Sequence, residues 1–179
     1  VKTYRERALE IALGEVGIHE IGFHNRGRRV DQYERADDLP GVGYSWCMSF
    51  VQWCYRQAGH RLPTLSPSVG IVLNWARMAG LVTTGPRRGD LVCFNFDADS
   101  WPDHVGFVIH NYPLYIRTVE GNTSPGTGGS QADGGGVYRR TRRKSRCIFI
   151  RVPGRPRRPH HRPVRRAVVR RGGSSGRPG

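Results

Sequence analysis

Apolar positions along the chain follow two different periods, and the change between them falls near Gly89. Before it the spacing is helical. Ala8, Ile11, Ala12 and Val16 share one face of a segment that stops near Gly17, which predicts a first helix over residues 4–16. A second, shorter helix is expected over 27–35. From Cys47 the apolar positions Phe50, Val51, Cys54 and Ala58 recur at intervals of three and four until Gly59 supplies a stop, so an amphipathic helix begins at the cysteine itself. A further helix over 70–79 carries Trp75 and is ended by Gly80 and the turn at Gly85 and Pro86. After Gly89 the runs LVCFNF, HVGFVIH, YIRTVE, GVYRR and RCIFIRV are short, β-branched or aromatic, and divided by Gly, Pro and Asn. Helices first and strands afterwards predict an α+β domain, with N-terminal helices packed on an antiparallel β-sheet.

This patterning ends at Val152. Residues 1–152 have the length of one domain with a real core. Residues 153–179 are Pro, Arg and Gly, with little apolar content beyond Val164, Ala167, Val168 and Val169. Such a segment buries too little surface to offset its ordering entropy, so a disordered basic tail is expected. The net charge of +15 is uneven, because ten Arg and no acid lie from Arg151 onward. A cationic tail seeks anionic polymers: a wall polymer, a membrane surface that the VRRAVVRR stretch could meet as an amphipathic turn, or nucleic acid. The body carries no helix-turn-helix, zinc-finger or RRM signature. A nucleic-acid- or polyanion-binding protein with a non-catalytic globular domain is therefore the competing class, separable by whether purified walls are cut. No apolar run approaches the roughly 18 residues of a membrane span, and no charged start followed by an apolar core marks a signal peptide. The first residue is Val, so a trimmed leader stays open.

Candidate chemistry starts at Cys47. A thiol in the first turn of a helix meets unpaired backbone N–H groups and the positive end of the dipole, which favour thiolate and could hold the oxyanion formed when it attacks an amide. Cysteine is also among the most often buried residues, and Cys54, Cys93 and Cys147 read as core. Cys47 and Cys54 lie about 10 Å apart along one helix at roughly 1.5 Å per residue, too far to bridge. Free thiols are the simpler reading. His104, at the foot of a strand, can serve as base and then acid. Glu120 and Asn122 in TVEGNTS are alternative residues to orient it, since alternate positions of an extended segment share a face. Trp46, beside the cysteine, and Trp101, three residues before His104, are read either as substrate-groove walls or as packing. His19 and His24 fit no ligand spacing and read as hydrogen-bonded or solvated. The Gly-rich stretch 124–136 reads as a mobile loop beside the site.

Together the segments GYSWCMSFVQW, GDLV with HVG, and VEGN resemble the CHAP family of cysteine amidohydrolases and peptidases. The resemblance covers residues 8–152. The related NlpC/P60 group more usually shows Asp-Cys-Ser where this chain has Ser45-Trp46-Cys47. The resemblance implies a papain-like fold of the NlpC/P60/CHAP type and cleavage of an amide in peptidoglycan, between glycan and stem peptide or within the peptide. It implies Cys47 as nucleophile, His104 as base then acid, and Glu120 or Asn122 as orienting group. Some CHAP enzymes carry a calcium loop of alternating acids upstream of the cysteine. Only Asp37 and Asp38 stand there in this chain, so neither a bound metal nor another cofactor is expected. The implied role is that of a phage endolysin, a monomer made in the host cytoplasm and acting on the cell wall, or of a secreted enzyme.

Overall fold

The computed structural model describes residues 2–154 apart from 23, 98 and 100. The tail expected over 153–179 thus lies, beyond Gly154, outside the described residues. Four helices precede most of the sheet: α1 (Tyr4–Gly14), α2 (Val30–Glu34), α3 (Cys47–Gln57) and α4 (Val69–Met78). A two-residue strand β1 (Val82–Thr83), absent from the sequence reading, is followed by β2 (Leu91–Phe94), β3 (His104–Asn111), β4 (Tyr115–Thr123), β5 (Gly136–Arg143) and β6 (Cys147–Ile150). All pair antiparallel in the order β1-β6-β2-β3-β4-β5. The architecture is the α+β, papain-like one that the sequence predicts.

Local chemistry explains the ends. Thr3 and Glu6 form a capping box at the start of α1, in which the Glu6 carboxylate accepts the Thr3 N–H at 2.7 Å and Thr3 Oγ1 accepts the Glu6 N–H at 3.3 Å. Ser68 caps α4 by accepting from the Ile71 N–H. The α3 helix departs from a one-sided stripe, because every residue from Cys47 to Tyr55 is buried. Its apolar face meets β3 and β4, and α1 and α2 cover the rest. The Arg29 guanidinium lies 4.7 Å over Trp53 and donates two 2.7 Å hydrogen bonds to Glu15, so α1, α2 and α3 are tied at one point.

The connection from β5 to β6 sets the shape of the sheet. Residues 144–146 alone join two strands that stand four positions apart in the sheet order. In a flat sheet that separation is about 19 Å at roughly 4.8 Å per step. The chain from Arg143 to Cys147 reaches at most about 14 Å at roughly 3.6 Å per residue. The sheet must therefore curl into a half-barrel. Its outer face, with Leu91, Cys93, Val105, Phe107 and Val119, packs on the helices. Its inner face holds a smaller cluster of Val92, Phe94, Val108, Ile116 and Phe149. Burial on both faces is why β2 reads as a continuous apolar run.

Candidate active site

Cys47 is the first residue of α3, and the turn leading into it is clamped from several sides. Glu34 accepts the backbone N–H groups of Gly43 and Tyr44 at 2.7 and 2.6 Å. The Asn122 amide donates to Ser45 Oγ at 2.7 Å, the Trp46 indole donates to Glu20 at 2.9 Å, and Ser49 Oγ donates to Asp37. Among the described residues no side chain caps the N-terminus of α3. The N–H groups of its first turn are left to whatever approaches Cys47. Cys47 itself is 3% exposed.

His104 opens β3 and is fully buried. Its Nε2 lies 3.1 Å from Glu120 Oε2. Gly106 permits this approach, since a Cβ there would stand 2.6 Å from Glu120 Cγ. With Nε2 engaged, the other ring nitrogen remains for the thiol. Among the described residues Nδ1 meets no geometric hydrogen-bond partner, and the Cys47 side chain stands near enough to favour the charged ring. Burial alone would lower His104, but the Cys47 and Glu120 side chains outweigh it and raise it to about 9. Burial likewise opposes ionisation of Glu120, and hydrogen bonds from His104 and Arg142 overcome it, holding the carboxyl at about 2. Both shifts favour an imidazolium–carboxylate pair in the fold.

The sequence reading did not find Arg142. Its Nε and Nη2 donate to the two oxygens of Glu120 at 3.0 and 2.6 Å, a bidentate contact at the centre of the half-barrel. Thr118 Oγ1 donates to the same carboxylate at 2.5 Å. Arg142 in turn donates through Nη1 to Gln131 Oε1 at 2.7 Å, so the Gly-rich segment is tied to the site by a side chain. Thr118 was within reach of sequence reasoning, being two positions from Glu120 on one strand face. Arg142 was not, because in GVYRRTRR nothing local separates it from Arg139, Arg140 or Arg143.

Glu120 and Asn122 do not share the imidazole. Pairing between β4 and β5 shifts register after Glu120, and Asn122 adopts a left-handed φ of 58°. Strand alternation is broken there, and the Asn122 amide turns to Ser45 and to Asp133 at 3.2 Å. Of the two orienting candidates, only Glu120 touches His104. Trp46 requires a correction: it is completely buried, packed between Tyr33 and Phe50, and is a core residue instead of a groove wall. Gly121 gives its ring room, since a Cβ there would meet Trp46 and Phe50 at 2.8 Å. Trp101 is 52% exposed and lies against the Gly70 backbone at the start of α4. His19 is bonded to the Tyr138 hydroxyl at 2.9 Å. Asp37 accepts the Leu39 N–H at 3.0 Å as well as the Ser49 hydroxyl. Among the described residues, no three His, Cys, Asp or Glu side chains converge as a metal-ligand group.

Residues 39–122 match the family model of the CHAP domain. The matched span runs from the loop before α3 to the end of the β4 site, so it contains Cys47, His104, Glu120 and Asn122 and stops short of Arg142. No curated protein gives a match to the chain.

Proposed function

The chain carries a CHAP domain, and on that premise we propose that it hydrolyses an amide of peptidoglycan by a thiol mechanism centred on Cys47, His104 and Glu120. The observation that carries this reading is the orientation of the imidazole. Glu120 occupies Nε2, and among the described residues Nδ1 has nothing facing it but the Cys47 thiol at a helix N-terminus.

In the proposed cycle the Cys47 thiolate adds to the amide carbonyl, and the uncapped N–H groups of α3 receive the oxyanion. The tetrahedral adduct collapses as His104 gives its proton to the leaving amine, leaving a thioester. Water then attacks the thioester while His104 takes its proton, and the thiolate leaves as the acid is released. Glu120 keeps the ring oriented and stabilises its charged form throughout.

The reading extends to a muramoyl-L-alanine amidase or a stem or cross-bridge endopeptidase, acting for cell lysis as a phage endolysin. In that role the Arg-rich tail would hold the enzyme to an anionic wall polymer or membrane surface. Incubation of the full chain with purified walls, followed by mass spectrometry of the released fragments, tests this directly. New amino and carboxyl ends released by the wild type and absent with Cys47→Ala are expected. Intact walls with both proteins would reject the hydrolase in favour of a binding module.

A further inference from the structure

We propose that Arg142 is a positioning residue of the thiol site: its guanidinium keeps Glu120 a carboxylate turned towards Nε2 of His104, and so keeps Nδ1 the nitrogen that exchanges protons with Cys47 and the substrate. This rests on the hydrolase reading above and adds to it a residue outside the span that the family model matches. Four donors converge on the two oxygens of Glu120. Oε1 accepts from Arg142 Nε at 3.0 Å and from Thr118 Oγ1 at 2.5 Å, while Oε2 accepts from Arg142 Nη2 at 2.6 Å and faces His104 Nε2 at 3.1 Å. The guanidinium fork thus fixes the plane of the carboxylate and decides which oxygen meets the ring. Arg142 is itself anchored. Its Nη1 donates to Gln131 Oε1 at 2.7 Å, its Nη2 reaches Thr123 Oγ1 at 3.3 Å, and it lies 5.5 and 5.3 Å from the Phe94 and Phe96 ring centroids.

The proposed cycle needs a counter-charge that does not change. His104 loses and regains a proton at Nδ1 in each turnover, so it neutralises Glu120 only part of the time. Glu120 is fully buried, and burial alone would drive its carboxyl towards the neutral form. With Oε1 already accepting two hydrogens, a proton taken up by Glu120 would move from Nε2 to Oε2. Nε2 would then hold the lone pair of the ring, and Nδ1 would keep its hydrogen with nothing left to accept the thiol proton. Arginine stays charged at every working pH. It therefore holds Glu120 ionised in both states of the ring, and by sharing Oε2 it limits how tightly the carboxylate retains the imidazolium.

The other groups that face the pair do not supply this charge. Arg140, two positions earlier on β5, donates to Gln131 Oε1 at 2.6 Å and to the Gly126 carbonyl, and acts on Glu120 only through space. Thr118, on the same strand as Glu120, is neutral. Cys147 on β6 is a thiol whose ionisation Glu120 opposes. On the far side of the imidazole stands Cys47 of α3, which favours the charged ring but does not touch the carboxylate.

NMR titration of the full-length protein, labelled at glutamate carboxyls and histidine imidazoles, reads the two groups without any substrate. Loss of a neighbouring positive charge raises proton affinity. In Arg142→Gln the Glu120 signal should therefore gain about tenfold or more in proton affinity, about one pH unit, and His104 should also move up. Wall cleavage should follow, with a lower kcat and an alkaline limb at higher pH, opposite to the shift that loss of the Glu120 charge would cause. Arg142→Lys keeps the charge without the fork, and should return Glu120 towards its wild-type titration while kcat stays reduced. Unmoved titrations in Arg142→Gln, or equal shifts in Arg140→Gln, overturn the proposal. If Arg142→Gln does not fold, Arg142→Lys decides alone: Glu120 titrating there at the ordinary carboxylate value, or a kcat equal to that of the wild type, overturns it. Walls left intact by the wild type, with the Arg142-dependent shifts present, would reject the hydrolase reading and leave the hold of Arg142 on Glu120 and His104 standing.

Discussion

Arg142 and His104 meet at one oxygen of Glu120, whose Oε2 lies 2.6 Å from a guanidinium nitrogen and 3.1 Å from the imidazole Nε2. The side chains of Glu120 and His104 are fully buried and that of Arg142 is 10% exposed. Removing one member of a buried pair leaves an uncompensated charge.

Arg142→Met should therefore cost about 3–5 kcal/mol of stability, against about 1 for an exposed neighbour such as Arg139→Met. Urea unfolding of both variants reads the difference. Equal, small losses would mean that the bidentate contact does not hold Glu120.

The division of labour between Glu120 and Asn122 has its own signature in the pH profile. The imidazolium donates the proton to the leaving amine, so the rate of acylation falls as pH rises through the His104 value of about 9. Glu120 helps raise that value, and Glu120→Gln should move the alkaline limb to lower pH by about a unit or more while reducing kcat. Asn122→Ala loosens Ser45, ahead of the nucleophile, and should reduce kcat with the limb in place. A limb that moves only in Asn122→Ala would reverse the two roles.

Those two residues also show how far the sequence could be read. The helix at Cys47, the strand at His104 and the run of later strands follow from local periodicity, and so were legible. Asn122 defeated the argument because its left-handed φ breaks the alternation on which the argument relied. Trp46 was misjudged because adjacency to a nucleophile says nothing about the side of the backbone from which a ring leaves. Arg142 was invisible for a different reason. Its role depends on the curl of the sheet, which is imposed by the short β5–β6 connection and the strand order together, and strand order is not written in any single segment.

Thiol labelling should single out Cys47. Burial raises Cys54 well above its ordinary value, pushes Cys93 up to about 12 and, with Glu120 nearby, Cys147 to about 11. At pH 7 a thiol near 11 is ionised in only about one molecule in ten thousand. Although Cys147 is the most exposed of the four, iodoacetamide should modify Cys47 first, and wall cleavage should fall in step with that modification. Peptide mapping that finds Cys147 labelled first, with activity already lost, would count against Cys47 as nucleophile.

Ten of the chain's 29 Lys and Arg residues lie from Arg151 onward without an acid among them. Removal of residues 155–179 should weaken co-sedimentation with walls at low salt while sparing cleavage of a small soluble peptide. Exposed charges are screened beyond roughly 10 Å at 0.1 M salt, so the deficit should shrink as salt rises. A deficit independent of salt would argue against electrostatic tethering.

Stability against pH should carry the mark of the buried pair on both sides of neutrality. Glu120 is depressed from 4.5 to about 2 in the fold, so its contribution is present above the unfolded value and is lost as pH falls towards 2. His104 is raised from 6.5 to about 9, so its contribution is complete below the unfolded value and is lost as pH rises through 9. The two overlap fully only between about 4.5 and 6.5, and the melting temperature should be highest there as far as this pair decides it. Glu120→Gln removes the acid-side loss outright and part of the alkaline loss, flattening the profile at both ends. Cys47→Ala separates the remaining contributions, because the thiol helps raise His104 but does not touch Glu120. Its profile should keep the acid limb of the wild type and show a smaller alkaline decline that is complete at lower pH. Melting curves of the three proteins between pH 3 and pH 10 read all of this, and an alkaline limb unchanged in Cys47→Ala would show that the thiol and the imidazole are not coupled in the resting protein.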